Sequence, residues 1–136
     1  MKLARLLTKT LGLSDASTNP KDLCDKGIAC IEQGKYQRAI QIFDKAIQLD
    51  PDEPVAYNKR GFAYYRLDQY RRSIQDYDKA IQLDPNYAEA YAKRGNAYGA
   101  LEQREQSIQD FDKSIQLNPG FAGVYNDRGF AYYTLG

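Results

Sequence analysis

Residues 44–51 read DKAIQLDP, residues 78–85 read DKAIQLDP again, and residues 112–119 read DKSIQLNP, always 34 residues apart. Laid out at that period, the chain falls without gaps into residues 20–53, 54–87 and 88–121, followed by a partial unit, 122–136. The eighth position is Gly27, Gly61, Gly95 and Gly129; the fourth is Leu23, Tyr57, Tyr91 and Tyr125; the eleventh is Cys30, Tyr64, Tyr98 and Tyr132. Later in the unit, position 20 is Ala39, Ser73 and Ser107, position 24 is Phe43, Tyr77 and Phe111, and position 32 is Pro51, Pro85 and Pro119.

Positions 4, 8 and 11 share one face of a helix, and positions 20, 24, 27 and 28 share one face of a second. Small residues at 8 and 20 let two helices approach closely, and large aromatics at 4, 11 and 24 fill the space beside them. Proline at 32 has no N–H to continue a helix, so it stops the second one. EQGKY, RLDQY and ALEQR supply the turns inside each unit. The recurring octapeptide is therefore the end of the second helix, where each unit meets the next. It is architecture rather than a catalytic motif.

This phase-locked pattern resembles the tetratricopeptide repeat family over residues 20–136. The resemblance implies an all-α right-handed superhelix of stacked antiparallel helix pairs, about three and a half repeats long, with the first helix of each pair lining a concave groove. It further implies an interaction scaffold that binds a peptide segment or partner protein there. Transferred to this chain, the family's ligand-facing positions give Asn58, Lys59, Phe62, Tyr65 and Arg66, then Lys93 and Asn96, then Asn126 and Phe130. Asparagines can both donate to and accept from an extended backbone. Lysine and arginine can hold carboxylates, and the aromatics can anchor apolar side chains. The small Gly99 and Ala100 leave room for a ligand side chain. The family's carboxylate clamp for acidic chain termini is matched poorly. At its positions stand Cys24, Ile28, Lys59, Glu89 and Lys93, and only Lys93 keeps the required charge.

Three departures from the family pattern stand out. Position 17, commonly aromatic, is Tyr36 and Tyr70 but Arg104, so the third turn is expected to pack less tightly. Position 7 is Lys26, then Arg60, Arg94 and Arg128, while position 23 is Ile42, then Asp76 and Asp110. Arginine and aspartate thus arrive together, which predicts the pairs Arg60–Asp76 and Arg94–Asp110.

Composition narrows the chemistry. The chain has 136 residues, a net charge of +1, 12 tyrosines, and neither tryptophan nor histidine. Without histidine the usual general base and the commonest metal ligand are missing. There is no phosphate-binding glycine loop, no paired-acid motif and no cysteine nucleophile with a base. Asp50 and Asp52 fall in an inter-repeat turn as helix caps. An enzyme is not expected, nor a cofactor, a metal or a nucleic-acid partner. Cys24 and Cys30, six residues or about 600° apart on a helix, point to different faces and read as free thiols of a cytoplasmic protein. No apolar run is long enough to cross a membrane.

Residues 1–19 read as an amphipathic helix and linker, with Leu3, Leu6, Leu7 and Leu11 on one face and Lys2, Arg5 and Lys9 towards the other. A cap on the first repeat is the first expectation, docking in a groove the second, and membrane-surface contact through residues 1–13 the third. At the other end, Gly129, Tyr132 and Leu135 share a face without a following helix. A homodimer through the two ends is therefore the alternative function.

Overall fold

The computed structural model describes residues 19–135, and the expectations for residues 1–13 lie outside them. Seven helices follow in order: α1 (Pro20–Glu32), α2 (Tyr36–Leu49), α3 (Pro54–Arg66), α4 (Tyr70–Leu83), α5 (Ala88–Ala100), α6 (Arg104–Leu117) and α7 (Ala122–Leu135). Among the described residues there is no strand. The closest packing is within α1–α2, α3–α4 and α5–α6, and each pair then stacks on the next helix. The result is an all-α helical repeat solenoid. Each first helix also touches the first helix of the following pair, whereas no comparable contact joins successive second helices. The stack must therefore curve, with α1, α3, α5 and α7 on its inner side.

The small–aromatic pattern accounts for the close packing inside each pair. A Cβ on Gly27 would come within 2.6 Å of the Phe43 ring, and one on Gly95 within 2.7 Å of Phe111. Gly61 faces Tyr77 in the same manner, at 3.0 Å. Phe43, Tyr77 and Phe111 are buried as a result. The two phenylalanines each contribute about 1.5–3 kcal/mol through removal from water, and Tyr77 less, because its buried hydroxyl has no hydrogen-bond partner among the described residues. The turn within each pair needs a left-handed residue at one fixed position. Gly34 adopts it at φ 74°, while Asp68 and Glu102 adopt it at 60° and 61° despite their side chains.

Between pairs, the chain ties itself down with repeated polar contacts. Tyr57, Tyr91 and Tyr125 donate their hydroxyls to the carbonyls of Pro51, Pro85 and Pro119, at 2.9, 3.1 and 3.0 Å. Asp50, Asp84 and Asn118 each accept from the backbone N–H two residues on. Asp50 is the C-cap residue of α2, its backbone N–H donating to the Ala46 carbonyl, and its carboxylate shapes the turn; the N-cap of α3 is Glu53, whose carboxylate accepts from Val55 N.

The expected arginine–aspartate pairs form, and each arginine reaches further than expected. Arg60 holds Asp76 through Nε and Nη2 at 2.9 and 2.7 Å, and its Nη1 meets Asp44 of the preceding pair at 2.9 Å. Arg94 repeats this with Asp110 and Asp78. Burial alone would lower the Arg94 pKa, but the hydrogen bonds and charges of Asp110 and Asp78 push it above its ordinary value. The same burial lifts the Asp110 carboxyl against the pull of Arg94. The short two-point contact, with a second carboxylate beside it, favours the ionised pair.

Candidate functional site

The inner helices bring the groove residues together in three groups. The first is aromatic and cationic. Tyr36 and Phe62 meet edge to face at 6.5 Å between ring centroids. Arg66 lies over Tyr36 at 5.4 Å, and Lys93 over Phe62 at 5.1 Å. Both cations thus rest on aromatic faces, a contact that positions them without removing their charge. Tyr36 was not among the residues expected in the groove. Its aromatic character at position 17 was the available signal.

The second group lies around Lys59 and Asn58. Lys59 forms an ion pair with Glu89 at 3.6 Å, with both side chains partly exposed. Asn58 departs from expectation: it is only 1% exposed and offers no amide to the open groove. Its Nδ2 donates to the Tyr87 hydroxyl at 3.1 Å, while its Oδ1 has no hydrogen-bond partner. Tyr87 is the last residue of the second unit and the N-cap of α5, so the link into the next repeat closes over Asn58. Burial pushes the Tyr87 hydroxyl up to about 12, reinforced by the charge of Glu89 and opposed by the Asn58 amide.

The third group encloses space. A cavity of about 340 Å³ lies between α5 and α7, lined by Tyr65, Asn96, Gly99, Ala100, Arg104, Asp127, Phe130 and Thr134 among others. Three of the expected residues, Tyr65, Asn96 and Phe130, meet here, although they come from three different helices. The opening has a local cause. Position 17 is Tyr36 against Phe62 in the first pair and Tyr70 against Tyr65, 5.4 Å away, in the second. In the third pair Arg104 occupies that position beside Gly99 and Ala100, and these residues line a void instead. Asn126 is exposed on α7 and does not line the cavity.

The thiols lie apart from these groups. Cys24 is buried and Cys30 half-buried, and both are free. Burial pushes the Cys24 thiol up to about 11, with the charges of Glu53, Asp25 and Asp50 acting in the same direction. Among the described residues no group of histidine, cysteine or acidic side chains could hold a metal, and no helix is long and apolar enough to cross a membrane.

Comparison with known proteins gives a consistent family assignment. The family profile described as TPR repeat matches residues 27–68, and that described as tetratricopeptide repeat matches residues 54–87 and 88–121. Among solved structures, the chain is similar to the first TPR of Spaghetti (RPAP3) bound to the HSP90 peptide SRMEEVD. The identity is 31% and the TM-score 0.84, over 88% of this chain and 94% of that one. The second TPR domain of human RPAP3, in complex with the HSP70 peptide SGPTIEEVD, is 28% identical with a TM-score of 0.78, covering 84% and 98%. MamA is 30% identical with a TM-score of 0.84, covering 98% and 77%. No curated protein matches at a significant level.

Proposed function

The chain belongs to the tetratricopeptide repeat family, and from that premise we propose that it is a non-enzymatic scaffold binding a peptide segment of a partner protein along its inner face. The observation that carries this reading is the cavity between α5 and α7, where Tyr65 and Phe130 flank Asn96. An apolar side chain of the ligand enters the cavity, and the Asn96 amide serves the ligand backbone beside it. The RPAP3 domains that bind chaperone peptides support peptide binding as the general mode. A different ligand is expected, because, of the family's clamp positions, only Lys93 keeps the required charge, and Lys59 is already paired with Glu89.

The test is a selection of peptides from a random library against the chain, followed by calorimetry. Asn96→Ala and Phe130→Ala should each weaken the selected peptides about tenfold, a loss typical of an interface anchor, with helicity unchanged by circular dichroism. SRMEEVD should bind more weakly than the selected peptides. Selected ligands indifferent to both substitutions would remove the cavity from the binding site. Self-association is the second reading, favoured by the exposed aromatics of α7. A mass by light scattering that stays monomeric at every concentration would eliminate it.

A further inference from the structure

We infer that the groove holds a second subsite at its other end, between the inner helices α1 and α3, which takes the cationic side chain of a lysine or arginine on the same bound peptide. The inference rests on the peptide-scaffold reading above and adds a charge to the ligand.

A cavity of about 450 Å³ lies where α1 meets the turn between α2 and α3. Three carboxylates line it, Asp25 on α1 and Asp50 and Glu53 in the turn, against one ammonium, that of Lys21. Among the described residues none of these four side chains takes part in an ion pair. Asp50 and Glu53 each commit one oxygen to a backbone N–H, that of Asp52 or Val55, which fixes the carboxylate and leaves its other oxygen for a ligand. Ile28 and Val55 add apolar wall, suited to the methylene stem of a long basic side chain. Cys24 also lines the cavity; it is 8% exposed, and its free thiol has no hydrogen-bond partner among the described residues. Burial raises the pKa of that thiol, and the charges of Glu53, Asp25 and Asp50 raise it further. The three acids therefore converge on one buried point instead of spreading over a solvated face.

The next junction supplies the contrast. In the second unit, Asn58, Lys59 and Tyr87 hold the positions of Cys24, Asp25 and Glu53, and Glu89 holds that of Val55. There Tyr87 covers Asn58 and Lys59 reaches Glu89, so the chain supplies its own ammonium. In the third unit Lys93 and Phe121 stand where Asp25 and Glu53 do. Only the first junction places carboxylates at both positions, and three carboxylates against one ammonium select a cation. The register of the ligand follows from the stack. Successive inner helices touch, which sets them about 8–10 Å apart. This cavity and the one between α5 and α7 are separated by two such steps, about 16–20 Å, or about five or six residues of extended chain.

The first probe is n-pentylammonium, a lysine side chain without its backbone, titrated into the isotope-labelled full chain and followed by amide NMR beside pentanoate. The amides of Asp25, Asp52 and Val55 should shift saturably with pentylammonium and not with pentanoate. Asp25→Asn and Glu53→Gln, the latter keeping its capping oxygen, should each weaken binding about threefold, the size of a partly exposed charge contact. Lys21→Ala should tighten it by a similar factor, a gain that mere loss of structure would not produce. No saturable shift, or equal shifts from both probes, would overturn the subsite whether or not the chain binds peptides. The second probe is the set of peptides selected from the random library. These should carry lysine or arginine about five or six residues from their apolar anchor, and Glu53→Gln should weaken them about threefold. Peptides that depend on Asn96 and Phe130 but carry no such cation would remove the subsite and leave the scaffold reading standing. Failure to select any peptide would overturn the scaffold reading itself, and the peptide subsite with it.

Discussion

Arg94 and Asp110 are joined by two parallel hydrogen bonds, Nε to Oδ2 and Nη2 to Oδ1, both 2.8 Å long. The carboxylate is buried on α6, whereas Asp78, the second partner of Arg94, has a side chain 54% exposed on α4. The two acids should therefore differ in weight. Asp110→Asn leaves a largely buried guanidinium without its fork and should cost about 3 kcal/mol. Asp78→Asn should cost less than about 1 kcal/mol, as exposed pairs do. Urea denaturation of the two variants decides this, and equal losses would contradict the assignment.

The glycines of position 8 should separate into two classes. Gly95→Ala drives a methyl against the Phe111 ring and should destabilise by about 1–3 kcal/mol through overpacking. Gly129→Ala meets nothing and should be neutral or stabilise by up to about 1 kcal/mol, the helix preference of alanine over glycine. Thermal unfolding of both variants tests the pattern. Similar effects at the two positions would refute it.

Tyr87 should matter more than Tyr91 although both lose only a hydroxyl. Tyr87→Phe removes the partner of the buried Asn58 amide and should cost about 1–3 kcal/mol. Tyr91→Phe removes a bond to the Pro85 carbonyl at an exposed site, where water can replace it, and should cost less than about 0.5 kcal/mol. Denaturant midpoints for the pair provide the comparison.

Cys24 should be slow to react. With its pKa near 11 rather than 9.0, the folded chain holds about a hundredth of the thiolate an ordinary thiol has at pH 8. In a Cys30→Ser background, labelling by a thiol reagent should be slower than in the unfolded chain by about that factor. The linkage sign follows. Between pH 9 and about 11 the folded chain keeps a proton that the unfolded chain has lost. The stability contributed by this thiol is therefore complete below about pH 9 and declines as pH rises through the window. A Cys24→Ala variant should show a shallower alkaline decline, and an unchanged slope would count against the buried thiol.

Much of this molecule is written in its period. The 34-residue spacing, the Gly–aromatic pairing and the proline stops are consequences of helical geometry, which is local and repeats with the chain. Even the Arg60–Asp76 and Arg94–Asp110 pairs were legible, because each joins two helices of one hairpin whose register the short turn sets. What sequence could not supply was the result of stacking one pair on the next. The bridges from Arg60 to Asp44 and from Arg94 to Asp78 cross that boundary. So does the burial of Asn58, which stands at a groove position yet lies beneath Tyr87, the last residue of its own unit and the N-cap of α5. The cavity between α5 and α7 likewise depends on side chains from three helices that share no local register. Periodicity determines which face each residue occupies, but only the tertiary stacking decides whether that face meets solvent, a neighbouring repeat or an open space.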